Sequence, residues 1–140
     1  MQPLERALRE KAHFDALATS VGSVWWGAQT KTGQLRLDER AALAIHHAGL
    51  SPGRRVLEPG AGNGDFTIRL ARSGATIIGF EISPELVAQG TKRLHHFRNV
   101  EVAEGDIAAL NFPDAFFDAS VVNCVMNHLD LDHALPEMVS

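Results

Sequence analysis

Val56-Leu57-Glu58-Pro59-Gly60-Ala61-Gly62-Asn63-Gly64-Asp65-Phe66-Thr67 is an apolar run that passes an acid and a proline, enters glycines at 60, 62 and 64, and continues into a helical pattern. Glycine at these places lets the chain turn sharply and lets backbone approach a ligand with no Cβ between, while the first N–H groups of the following helix are expected to stand free. The stretch reads as strand, tight turn, helix, with the turn a cradle of nucleotide size. A plain strand-to-helix connection with no ligand remains the alternative. Spacing narrows the choice, because a dinucleotide fingerprint G-x-G-x-x-G has its third glycine three residues after the second, and here Gly64 follows Gly62 by two.

Downstream the pattern alternates. Arg55–Glu58 is short and apolar, Asp65–Arg72 helical, Thr76–Glu81 β-rich, Pro84–Leu94 helical, Asn99–Ala103 extended and Ala119–Val125 a continuous apolar run. Strand and helix in alternation predict parallel α/β layering, and the unbroken pairs Ile77–Ile78 and Val121–Val122 suit strands covered on both faces. Ser83 before Pro84 suits an N-cap and first turn, and Gly49 and Gly74 suit helix ends.

Upstream, Leu4, Leu8, Ala12 and Phe14 recur near helical spacing between Pro3 and Thr19, and Leu37–Ala48 resumes it through Leu43 and Ile45. Between them Ser20–Gly33 carries Trp25–Trp26 without a clear period. Ser51–Pro52–Gly53 closes this module, since proline does not continue a helix. The chain therefore divides into a helical cap segment, 1–50, and an α/β domain, 51–140.

At this point the chain resembles the class I S-adenosylmethionine-dependent methyltransferases, whose first motif has the form (D/E)-x-G-x-G-x-G at the end of the first strand, as in Glu58-Pro59-Gly60-Ala61-Gly62-Asn63-Gly64. The resemblance extends from Arg55 to about Met138. It implies a Rossmann-like three-layer sandwich with a mostly parallel sheet in the order 3-2-1-4-5-7-6, of which the first four strands are expected here. It implies S-adenosyl-L-methionine as cofactor and S-adenosyl-L-homocysteine as product. Glu58, Gly60, Ala61, Gly62 and Gly64 would form the cradle. Glu81, 17 residues beyond Gly64, would receive a ribose diol with Ile82 beside it. Asp106 and Ile107 would meet the adenine amino group and ring, and Asn123 would line the fourth strand end. Trp26, or its neighbour Trp25, would close over the cofactor by cation–π contact or else anchor the helical segment to the core. His128, in Val125-Met126-Asn127-His128-Leu129, would orient or deprotonate an acceptor, or else pack and hydrogen-bond in place.

The rest of the sequence bounds this reading. The chain has 140 residues, 13 Lys+Arg against 17 Asp+Glu, 45% hydrophobic residues and a single cysteine, which predicts one soluble, intracellular and hence cytoplasmic domain. No apolar run approaches the ~20 residues that span a bilayer. The net charge of -4 lacks the footprint of a phosphate-backbone binder, so a small-molecule methyl acceptor is expected rather than nucleic acid. Asp130-Leu131-Asp132-His133 reads as helix capping and no metal is expected. With strands five to seven absent from these 140 residues, the chain is expected to be a fragment, or to pair its fourth-strand edge with a second copy. A nicotinamide-dependent oxidoreductase and a non-catalytic cofactor-binding module are the competing readings.

Overall fold

β1 (Arg55–Pro59), β2 (Thr76–Glu81), β3 (Val100–Glu104) and β4 (Ala119–Ser120) pair in parallel in the order β3-β2-β1-β4. The computed structural model describes residues 3–20 and 30–123. From β1 the chain steps outward to β2 and β3 and then crosses back to lay β4 on the other side of β1. That reversal opens a crevice at the carboxyl ends of β1 and β4, the place where open α/β sheets take ligands. Register brings the strand ends level: Pro59 lies beside Phe80, and Glu81 beside Glu104.

Successive residues of β1 face opposite sides of the sheet and so build different cores. Val56 joins Phe66, Leu70, Ile77, Ala41 and Leu50, with Leu37, Ala44 and Ile45 packed against them. That cluster is the seat of α2 (Lys31–Ala48) and α3 (Asp65–Ala71). Arg69 of α3 ties the two helices together through Asp38 (2.7 Å) and the side chain of Gln34. Leu57 meets Ile107 on the other face, where Phe80, Leu110, Phe117 and Val122 surround them. The α/β Rossmann-like class with an N-terminal helix is thus borne out.

Six elements differ from the sequence reading: β1 ends at Pro59 rather than Glu58, α3 at Ala71 rather than Arg72, β3 is Val100–Glu104 rather than Asn99–Ala103, and α2, β4 and the first helix differ as follows. α2 starts at Lys31 rather than Leu37, because Thr30 is an N-cap whose Oγ1 accepts from the Gly33 N–H at 2.9 Å. That bond outweighs the modest penalty of a glycine in the first turn. The fourth strand, read as Ala119–Val125, is Ala119–Ser120 within the described residues. Val121 N–H still donates to Leu57 O (2.9 Å), but the return bond would need an N–H at Pro59, which proline lacks. α1 (Pro3–Ser20) runs one residue past Thr19 and lies against α4 (Pro84–Leu94). Trp25, Trp26, Cys124, His128 and the tract 130–133 lie outside the described residues.

Candidate cofactor site

The β1–α3 turn is folded by its own amides. Gly60 N–H and Ala61 N–H both donate to Phe80 O, at 2.7 and 3.1 Å, and Gly64 N–H donates to Ala61 O at 3.1 Å. Gly62 N–H donates to Glu81 Oε2 at 2.9 Å, and Asp65 N–H to Asn63 Oδ1 at 3.1 Å. The turn thus uses these amides internally, and of the first N–H groups of the following helix that of Asp65 is taken by Asn63. Gly62 and Gly64 hold φ values of +58° and +87°, which L side chains rarely adopt. Their surroundings differ. A Cβ on Gly64 would strike Leu94 Cδ1 at 2.9 Å, whereas one on Gly62 would enter open space. Gly64 serves packing, and the side of Gly62 is open.

Two carboxylates flank this turn. Glu58 is buried, and its Oε2 accepts from Thr67 Oγ1 at 2.6 Å. Burial pushes the Glu58 carboxyl up to about 8; the Thr67 hydroxyl opposes the shift and the nearby charge of Glu81 adds to it. Glu81 is raised too, by burial first, against the N–H groups of Ser83, Gly62 and Ile82 that favour its charge. Its oxygens are committed to backbone: Oε2 to Gly62 and Oε1 to Ser83 N–H at 3.2 Å. Glu81 therefore locks the glycine turn onto β2, a task that its place at a strand end does not reveal.

At the end of β3, Asp106 Oδ1 accepts from Ala108 N–H (3.0 Å) and starts the turn Ile107–Ala109. Arg6 of α1 also reaches Asp106, with Nη2 at 3.2 Å from Oδ1 and 3.0 Å from Oδ2. Burial opposes the charge on Arg6, and its bonds to Glu10 and Asp106 outweigh that and raise its value. Among the described residues no group of three or more His, Cys, Asp or Glu side chains is placed to hold a metal.

A family model described as "Methyltransferase domain" matches residues 56–140, from β1 onward. The chain belongs to this methyltransferase domain family. It is similar to a demethylmenaquinone methyltransferase of Tropheryma whipplei, 39% identical over 82 residues, which cover 56% of this chain and 33% of that protein. It is also similar to a probable ribosomal RNA small subunit methyltransferase A of Methanosarcina acetivorans, 42% identical over 76 residues, covering 54% of this chain and 28% of that one. The matches thus span about a third or less of these relatives' length. In fold it resembles a phosphoethanolamine N-methyltransferase of Haemonchus contortus, with a TM-score of 0.74 at 20% identity, over 98% of this chain and 29% of that one.

Within this family member, Glu58, Gly60, Ala61, Gly62, Gly64 and Glu81 come together at the ends of β1 and β2, with half-buried Ile82 following Glu81. Asp106 stands past the end of β3, and Ile107 turns its side chain into the core against Leu57. Asn123 is half-buried beyond β4, and Trp26 and His128 fall outside the described residues. Sequence reasoning missed Thr67, Asn63 and Arg6. A hydroxyl nine residues from Glu58 carries a faint signal, since a strand-end acid followed by a helix needs a buried donor. Arg6, a hundred residues from Asp106, carries none.

Proposed function

We propose that this chain is the donor-binding part of an S-adenosyl-L-methionine-dependent methyltransferase that acts on a small molecule, and that residues 51–140 hold the donor while 1–50 cap it. One observation carries the reading: the glycine turn uses its amides on internal acceptors and is flanked by the buried acids Glu58 and Glu81. A pyrophosphate needs free N–H groups and an electropositive seat, so a dinucleotide is disfavoured. A donor with a sulfonium and an ammonium needs no such seat, and the open side of Gly62 gives it room.

When bound, the donor supplies an electrophilic methyl group. In this proposal Glu81 orients the ribose and Asp106 the adenine end, with Ile107 packed beneath it in the core rather than against the ring, while Asn123 and Trp26 close the cradle. His128 orients an acceptor O, N, S or C nucleophile in line with the departing sulfur. Catalysis then rests on proximity and orientation, which contribute roughly 7–11 kcal/mol. The small-molecule acceptor is supported by the formal charge of -4, which is ill suited to a polyanion. The demethylmenaquinone methyltransferase among its relatives supports it as well. No helix among the described residues is long and apolar enough to cross a membrane, and a cytoplasmic location is part of the proposal. So is self-association through the outer edge of β4, for which sedimentation velocity is the test.

Calorimetry decides the donor. S-adenosyl-L-methionine and S-adenosyl-L-homocysteine should bind and a nicotinamide dinucleotide should not. A folded protein that gives no heat at millimolar donor would refute the proposal, and binding without transfer of a labelled methyl group to any acceptor would favour the non-catalytic module. Label that appears in ribosomal RNA, and in no small molecule, would overturn the acceptor class and align the chain with its Methanosarcina relative.

A further inference from the structure

α1 crosses the carboxyl ends of β2 and β3 and is held there by polar side chains. Arg6 grips Asp106 and, through Nη1, Glu10 Oε2 at 2.7 Å. Lys11 Nζ reaches Glu104 Oε1 at 3.1 Å. Asp15 accepts from Ser83 Oγ and, at 3.4 Å, from Glu85 N–H. Between Arg6 and Asp15 the helix advances roughly 13 Å, so these ties straddle the end of β2 where Glu81 holds the glycine turn. Among the described residues neither hydrophobic core cluster includes a residue of α1, and Leu4 and Leu8 are exposed at 72% and 58%. The Lys11–Glu104 pair lies at a half-open surface and exchanges readily with water, which leaves the less exposed Arg6–Asp106 pair as the tie that holds the helix.

The Arg6 contact falls on a carboxylate with little left to offer. Asp106 Oδ1 already accepts from Ala108 N–H and from Arg6, and Oδ2 accepts from Arg6. Oδ2 keeps one acceptor position, so an exocyclic amino group approaching Asp106 competes with the guanidinium for the same carboxylate. We infer that Arg6 is a latch, that its pair with Asp106 competes with the seating of the donor's adenine at Asp106, and that α1 is a gate over the cradle which opens when that pair breaks. This inference rests on the donor-site reading of Asp106. Arg6 is then neither a binding nor a catalytic residue; it sets how fast and how tightly the cradle is entered.

The test compares the wild-type chain with Arg6→Gln, a shorter side chain that keeps a hydrogen-bonding group at this largely buried position. Stopped-flow measurements with S-adenosyl-L-homocysteine should show association faster by roughly three- to tenfold in the variant, the range set by a part-buried ion pair. Added salt should accelerate association more in the wild type than in the variant, which keeps the Lys11–Glu104 pair. Hydrogen exchange without any ligand supplies an independent readout: amides of α1 should exchange faster in Arg6→Gln, with those of β1 and β2 unaltered. Donor binding at the same rate in both proteins, or weaker binding by the variant, would overturn the latch while leaving the donor site standing. Absence of binding by both would overturn the donor reading, and the latch with it.

Discussion

Glu58 lies at the carboxyl end of β1 with a relative exposure of 1% and a single side-chain hydrogen bond, from Thr67. A carboxyl raised by burial from 4.5 to about 8 holds its proton more tightly folded than unfolded. Its contribution to stability is fully present below about 4.5 and is lost as pH rises through about 8. Glu58→Gln should remove that slope: calorimetric melting temperatures of the two proteins should converge in acid, and the variant should melt higher at alkaline pH. Equal slopes would mean that Glu58 is ionised when folded. For Glu81, loss of two backbone hydrogen bonds at a charged acceptor should destabilise the turn by about 1.5–3 kcal/mol per bond. Glu81→Ala should therefore lower the melting temperature and donor affinity together, where the sequence by itself suggests an effect on affinity alone. Glu81→Gln should keep part of both. Gly62→Val should abolish donor binding, since it forces a β-branched side chain to φ +58° and fills the open side of the turn; unchanged calorimetric affinity would make the turn a connection only.

At the level of elements, the strands and helices after Ser51 follow local signals closely, since β-rich runs, N-caps and glycines agree with one another there. Ser83 caps α4 by accepting from Leu86 N–H, and Gly49 ends α2 at φ +62°, as their residue types foretell. The start of α2 carries a weaker local signal. Gly33 suggests a loop, and only the cap from Thr30 resolves the matter in favour of helix. Thr30→Ala should destabilise the chain by about 1 kcal/mol, measured by urea titration, and an unchanged midpoint would show that α2 is held by packing alone. The brevity of β4 follows from a residue in another strand, Pro59, whose missing N–H no inspection of 119–125 reveals. Pairing partners are chosen in three dimensions, and a strand's length depends on its neighbour's donors.

Across the whole molecule, the crevice at the ends of β1 and β4 exists because the sheet order reverses at β1, and α1 closes over its β2–β3 side. A ligand that binds only the folded chain should raise its stability by about 2.7 kcal/mol at a hundredfold excess over its dissociation constant. Thermal melts with S-adenosyl-L-homocysteine should therefore shift upward, and a melt indifferent to saturating ligand would refute the donor site. By itself the sequence determined the class of fold, the glycine turn and the acids at three strand ends, because hydrophobic period, glycine spacing and strand-end position are all local properties of the chain. Tertiary structure alone decided that the turn's amides are occupied, that Glu81 braces Gly62 and that Arg6 lies on Asp106. The Glu81 and Arg6 contacts join residues 19 and 100 positions apart, and form only once the sheet has brought its strand ends level and α1 has docked across them.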